Sequence, residues 1–262
     1  MLQDKWVRTV DKFLDSLQLQ YGPTELQTRF IIKACLVAAE RGVYLELGTF
    51  GELLEVNKRN QDSWRPLTTT LRADPGGAHD DAGGSVFGRN GHGDVVATQA
   101  MRLFDWRDTN FKTEAEALRF FYAEPDRHRR PNETCEVTSE GAADITGKVL
   151  LGGGIWYRED YRRIQLAEIV PRLSRACAYG TYGANEMIGI VSGENVRKNL
   201  AKKLAMRMTE GQVIMRDSPG YPDKEIRLTL VRQTPDELMD DLFNFVMDFE
   251  TEVDTRVYAN RA

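Results

Sequence analysis

The chain has 262 residues, of which 41% are hydrophobic and 29% charged, enough apolar content to bury a core in one large domain or two modest ones. Its formal net charge of −5 argues against a protein that wraps nucleic acid by bulk electrostatics. No apolar run approaches the roughly 20 residues that span a bilayer, so no membrane partner is expected. Cys35, Cys135 and Cys177 stand far apart without CxxC spacing, which indicates neither a disulfide framework nor a zinc site. The first residues, MLQDKWVRTV, lack the apolar core of a signal peptide, and a reducing cytoplasm is the expected location.

Residues 4–19 carry Trp6, Val7, Val10, Phe13, Leu14 and Leu17 at helical spacing. After Gly22-Pro23, Thr24 reads as the N-cap of a second helix whose face (Leu26, Phe30, Ile31, Ala34, Cys35, Ala38) ends at Arg41-Gly42, a C-terminal signal. Cys35 falls on that face as a small core residue. A short strand is expected over 43–47 and a helix over 49–60. Residues 72–93 are polar and glycine-rich, a loop with a brief strand at 85–88. Asn90-Gly91 signals a hairpin leading into a strand over 94–106. His79, Asp80, Asp81, His92 and Asp94 are close in sequence but lack metal-ligand spacing, so they read as turn residues and no metal is expected. A helix is expected over 111–123, followed by the basic loop RHRRP at 127–131, read as a solvated linker.

The chain is organised around residues 148–167, KVLLGGGIWYREDYRRIQLA. Apolar, β-branched and aromatic residues bounded by glycine read as a strand over 149–157. Glycine within a strand marks a bulge or the close approach of another backbone or ligand. From Gln165 the spacing of Leu166, Ile169, Val170 and Leu173 is helical. A strand that feeds directly into a helix N-terminus offers unpartnered N–H groups to an anion, so phosphate chemistry is the first expectation. The following helix, 164–179, contains Pro171, which should kink or split it, and 180–183 reads as a turn. Beyond come a strand (187–191), a lysine- and arginine-rich helix (196–208), strands at 212–216 and 225–231, and a helix with Thr234 as N-cap and Pro235 at its first position.

That order of elements resembles the GNAT family of N-acyltransferases over roughly residues 43–231. The most specific match is YREDYRRIQLA (157–167) against the family pattern V-x-P-x-Y-R-G-x-G-L-A, in which Tyr161, Arg162, Leu166 and Ala167 agree and Tyr157 replaces the valine. The resemblance implies an α+β fold, with a central mixed, mostly antiparallel sheet flanked by helices. It also implies a helical extension at 1–42, an acyltransferase domain at 43–233 and a C-terminal helix and tail at 234–262. In the family, amides of the matched loop grip the pyrophosphate of acetyl-CoA, and the splayed strand before it bonds the pantetheine arm. Carried over, this names Ile155, Trp156, Tyr157, Arg162, Arg163, Ile164, Gln165, Leu166, Ala167 and Asn195 as binding residues for acetyl-CoA or another acyl-CoA. Three departures stand out, the first being Lys198, which stands where the family pattern N-x-x-[A/S], begun here by Asn195, has a small residue. Arg163 and Gln165 occupy the pattern's two glycine positions, where glycine would allow close backbone approach to phosphate. Residues 196–208 contain no tyrosine, the usual proton donor to the leaving thiolate.

Acyl transfer to an amine needs an ordered thioester, a base for the ammonium proton and donors near the carbonyl oxygen. Glu194 is the candidate base, with Glu140 behind it; each also reads as an ordinary helix-terminus or loop carboxylate. Tyr157 and Tyr161 are candidate proton donors, or packing residues at a strand end. The expected activity is acyl-CoA-dependent N-acyl transfer to a small-molecule or protein amine. The alternatives are a GNAT-like scaffold without catalysis, serving binding or regulation, and an acyltransferase fed by an acyl carrier protein. The geometric expectation common to the transferase readings is that the 149–157 and 187–191 strands part near Trp156.

Overall fold

The computed structural model describes residues 10–73 and 83–248; the expectations for residues 4–9, His79, Asp80 and Asp81 lie outside them. Nine strands form one sheet: β1 (Tyr44–Gly48), β2 (Gly83–Arg89), β3 (Val95–Trp106), β4 (Thr134–Val137), β5 (Gly147–Tyr157), β6 (Glu186–Ser192), β7 (Arg207–Met208), β8 (Val213–Ser218) and β9 (Tyr221–Gln233). Their order is β1-β2-β3-β5-β6-β9-β8-β4, with β7 on β9. The β5–β6 pair is parallel and the other pairs are antiparallel. The longer helices are α1 (Thr24–Glu40), α2 (Phe50–Arg59), α3 (Phe111–Glu116), α4 (Leu166–Tyr182) and α5 (Pro235–Asp248); residues 10–15 are also helical. The fold is α+β, with a central mixed, mostly antiparallel sheet flanked by helices, as expected.

Alternation along the strands sends neighbouring residues to opposite faces. Val86, Met101, Leu150 and Met187 pack with α1, α4 and α5 in one core. On the other face Phe87 and Ala100 pack with α2, and Phe104, Val149 and Ile188 join an aromatic cluster around Phe111 and Phe120. Cys35 is buried in the first core, and burial pushes its thiol up to about 12.

Local signals explain most boundaries. Thr49 and Glu52 form a reciprocal capping box at α2, and Thr234 and Glu237 exchange the same pair of bonds before α5. The β2–β3 hairpin turns at Asn90, whose Oδ1 accepts from the amides of His92 and Asp94. Five expectations are corrected. Pro23, not Thr24, is the N-cap of α1. The helix from 111 stops at Glu116 and Leu118 takes φ 59°. Of the two outcomes expected at Pro171, splitting does not occur: α4 runs from Leu166 to Tyr182 with the proline inside it. Residues 180–182 continue that helix, and Gly183 ends it at φ 59°. The helix expected over 196–208 is two short turns, Gly193–Arg197 and Leu200–Lys203, followed by β7; Asn199 (φ 55°) and Ala205 (φ 52°) break it. Strand β4, not anticipated, pairs with β8.

Strand β6 is anchored to β9 by Glu186, whose two oxygens accept from Arg232 Nε (2.5 Å) and Nη2 (2.7 Å) at 9% and 16% side-chain exposure. Glu186→Ala leaves a half-buried guanidinium without its partner. A loss of about 3 kcal/mol is expected in urea unfolding, with the midpoint falling and the slope unchanged.

Candidate functional site

Strands β5 and β6 pair from Val149↔Glu186 to Gly152↔Gly189, and no further. Beyond that point β5 runs on to Tyr157 beside β3, and β6 to Ser192 beside β9. The parting comes earlier than Trp156, at the glycines, and its cause is visible in the register. Where β3 steps from Thr98 to Ala100, β5 steps from Trp156 to Gly153, so β5 carries an extra residue. Such a bulge bends the strand that bears it. Gly154 adopts φ 63° there, and its carbonyl accepts from Thr98 Oγ1 at 2.7 Å. Gly153 has a separate reason to lack a side chain: a Cβ would stand 2.6 Å from Leu71 Cδ1 on the opposite face.

The gap is a cavity of about 180 Å³. Glycines 152–154 and Ile155 line it on one side and residues 189–191 on the other, with Asn195, Leu200, Leu204 and Met206 closing it. Gln99 and Arg175 also line it; each is 3% exposed, and Gln99 Oε1 and Arg175 Nε have no hydrogen-bond partner among the described residues.

At the open end of β5, the loop into α4 has an unusual backbone. Arg163 (φ 68°) and Gln165 (φ 63°) are both left-handed, at the two positions where the family pattern has glycine. A residue with a Cβ is strained there by roughly 1–2 kcal/mol. Gln165 is the N-cap of α4 and supplies no side-chain cap, so the first-turn amides of Leu166 and Ala167 have no intrahelical acceptor. The amides of Arg163, Ile164 and Gln165 have none among the described residues. What holds the loop is Arg41, at the end of α1: its Nε donates to Ile164 O (2.8 Å), Nη2 to Gln165 Oε1 (2.6 Å) and Nη1 to Val37 O (2.6 Å). Arg162 Nε donates to Tyr157 O at 3.1 Å. Arg163 is exposed, and its side chain makes no hydrogen bond or ion pair among the described residues.

The anticipated residues thus fall into groups. Ile155 and Asn195 line the cavity, and Arg162 to Ala167 form the loop that follows β5, outside the cavity lining. Trp156 is 4% exposed on the other face, stacked on Trp64 at 5.5 Å with Nε1 donating to Ser63 Oγ. Tyr157 packs into the core of α1 and α4; its hydroxyl donates to Leu166 O at 3.4 Å, and burial raises its pKa. Tyr161 lies under the Arg158 guanidinium, 5.0 Å from its ring centroid. Glu194 is exposed, and Lys198 Nζ at 2.6 Å holds its carboxyl below the usual range. Arg41, Gln99 and Arg175 were not anticipated. Nothing local marks them, since each reaches the site from a distant element.

Two substitutions test the loop. Arg163→Gly relieves a left-handed side chain and should raise stability by about 1 kcal/mol, seen as a higher melting temperature. Arg41→Ala removes charged donors and should cost about 1–2 kcal/mol, seen as a lower midpoint in urea unfolding.

No family model matches the chain, and no curated protein matches it. Solved structures similar to it include a GNAT superfamily phosphinothricin acetyltransferase from Sinorhizobium meliloti in complex with AcCoA, at 10% identity and TM-score 0.42, covering 74% of this chain and 88% of that one. A GNAT family acetyltransferase from Streptococcus pneumoniae is 11% identical, with TM-score 0.43 and coverage of 73% and 99%. A spermidine N-acetyltransferase from Vibrio cholerae is 8% identical, with TM-score 0.44 and coverage of 74% and 94%.

Proposed function

We propose that the chain is an acyl-CoA-dependent N-acyltransferase acting on an amine. The observation that carries this reading is the parting of β5 and β6 after Gly152 and Gly189. Backbone groups on the two inner edges are left without a strand partner, and such groups need a ligand or water. An extended pantetheine arm of acetyl-CoA or another acyl-CoA supplies amides for those edges. Its diphosphate suits the open amides of residues 163–167, with Arg163 as an additional cation.

In this reading the thioester lies in the wedge, and amides of the 155–157 edge donate to its carbonyl oxygen. A base removes one proton from the ammonium, and the amine attacks the carbonyl carbon. A C–N bond forms, the C–S bond breaks, and the amine's second proton goes to the leaving thiolate. Glu194, next in sequence to the cavity residue Asn195, is the proposed base; Glu140, the second candidate, is exposed and outside the cavity lining. Tyr157 and Tyr161 are the proposed groups that relay this second proton to the thiolate.

Two observations support the non-catalytic alternative, a GNAT-like binding module. Lys198 keeps Glu194 a weak base, and the Tyr157 hydroxyl is already spent on Leu166 O. A donor on an acyl carrier protein would use the same wedge and rely less on the diphosphate loop.

Acetyl-CoA at a hundred times its dissociation constant should stabilise the chain by about 2.7 kcal/mol and raise its melting temperature by about 5–10 °C. An unchanged melting temperature with acetyl-CoA and longer acyl-CoAs would rule out CoA as the carrier. Incubation with a panel of amines, read by mass spectrometry for N-acylated product, separates transferase from binding module. In the transferase, Glu194→Gln should slow turnover about a hundredfold and leave acetyl-CoA binding intact.

A further inference from the structure

The wedge has a charged wall that simple acetyl transfer does not use. Arg175, 3% exposed on α4, lines the cavity together with Gln99, Gly152 and Gly189. Its Nη2 donates to Leu204 O at 2.6 Å and lies 3.7 Å from Asp241 Oδ2. Asp241 is already engaged by Arg172, whose Nε is 2.9 and 3.1 Å from its two oxygens. Two guanidinium groups therefore share one carboxylate, and Arg175 Nε is left with no acceptor among the described residues. Burial lowers the Arg175 pKa only to about 10, so it is charged at neutral pH. The buried cluster of Arg172, Arg175 and Asp241 carries one net positive charge.

A buried cation that lacks a full counter-charge is destabilising. Bonding the Leu204 carbonyl is a task that a neutral donor performs as well, so packing alone gives no reason for a charge here. Gln99 adds a second donor. Its Nε2 donates to Ala100 O at 3.3 Å and lies 3.4 Å from where a Gly152 Cβ would be, which leaves its second N–H beside the cavity. Gln99 and Gly152 mark the closed end of the wedge, where the strand pairing begins. A donor whose diphosphate rests on residues 163–167 enters from the open end, so its acyl group points toward this closed end.

We propose that the acyl group ends in a carboxylate that pairs with Arg175, making the donor a monothioester of a dicarboxylic acid. The inference rests on the acyl-thioester reading above and narrows it to one acyl class.

The test is calorimetric titration of the full chain at neutral pH with succinyl-, butyryl- and acetyl-CoA and with the corresponding pantetheine thioesters. Succinyl esters should bind about tenfold or more tightly than butyryl esters of the same carrier. Arg175→Met should abolish the preference, while retained butyryl binding reports that the variant is folded. Equal binding of succinyl and butyryl esters to the unaltered chain would overturn the inference and leave the thioester reading standing. This comparison needs no variant, so it decides the matter even if Arg175→Met does not fold. A succinyl preference that survives in Arg175→Met would overturn the assignment to Arg175. Binding of no ester on either carrier would remove both readings.

Discussion

A parallel pair of strands normally exchanges hydrogen bonds along its length, and the structure turns on the place where β5 and β6 stop doing so. The break is built from small residues and a count. Glycines 152–154 remove side chains from β5, and Gly189 does so across the gap. One extra residue in β5 relative to β3 swings the strand's second half away. Each strand remains paired on its outer side, so the sheet continues around the gap. Close packing ordinarily fills such a space. Here Leu71 presses on Gly153 from one face, and the cavity opens on the other.

The loop beyond β5 shows how a backbone shape can survive the loss of the residues that favour it. Arg163 and Gln165 are left-handed where glycine would be unstrained. Arg41 offsets that strain by bonding the backbone of Ile164 and the side chain of Gln165. The open amides at the start of α4 thus depend on a residue more than a hundred positions earlier. Helix α1 is for this reason part of the site's framework as well as of the core.

The legible parts of the sequence were those written in local pattern. The glycine run, the aromatic end of β5 and the periodicity from Leu166 gave the central strand and α4. Asn90-Gly91 gave the hairpin, and Thr234-Pro235 the start of α5. The illegible parts were of two kinds. In the 193–206 segment, residues with helical character are interrupted at Asn199 and Ala205 by positive φ, and neither position carries glycine to announce it. Tertiary context overrode propensity there. Arg41, Gln99 and Arg175 were hidden for another reason: each matters through contacts with residues far away in the chain, which periodicity does not encode. Trp156 was legible as a strand residue, but the bulge decided which face it would take.

The closing helix illustrates how a peripheral element enters the electrostatics of a buried site. Helix α5 buries Leu238, Leu242, Phe245 and Val246 in the core shared with α1 and α4. Lys33 Nζ, itself 2% exposed, donates to Val246 O at 2.7 Å, placing a cation at the carbonyl end of the helix, where the macrodipole favours it. From this anchored position α5 delivers Asp241 to Arg172 and, more distantly, to Arg175. Without that carboxylate, the cavity residue Arg175 and the partly buried Arg172 behind it would be two guanidinium groups with no anion between them. With it, one positive charge remains. The sheet sets the shape of the cavity, and its sign is set by a helix that packs on α1 and α4.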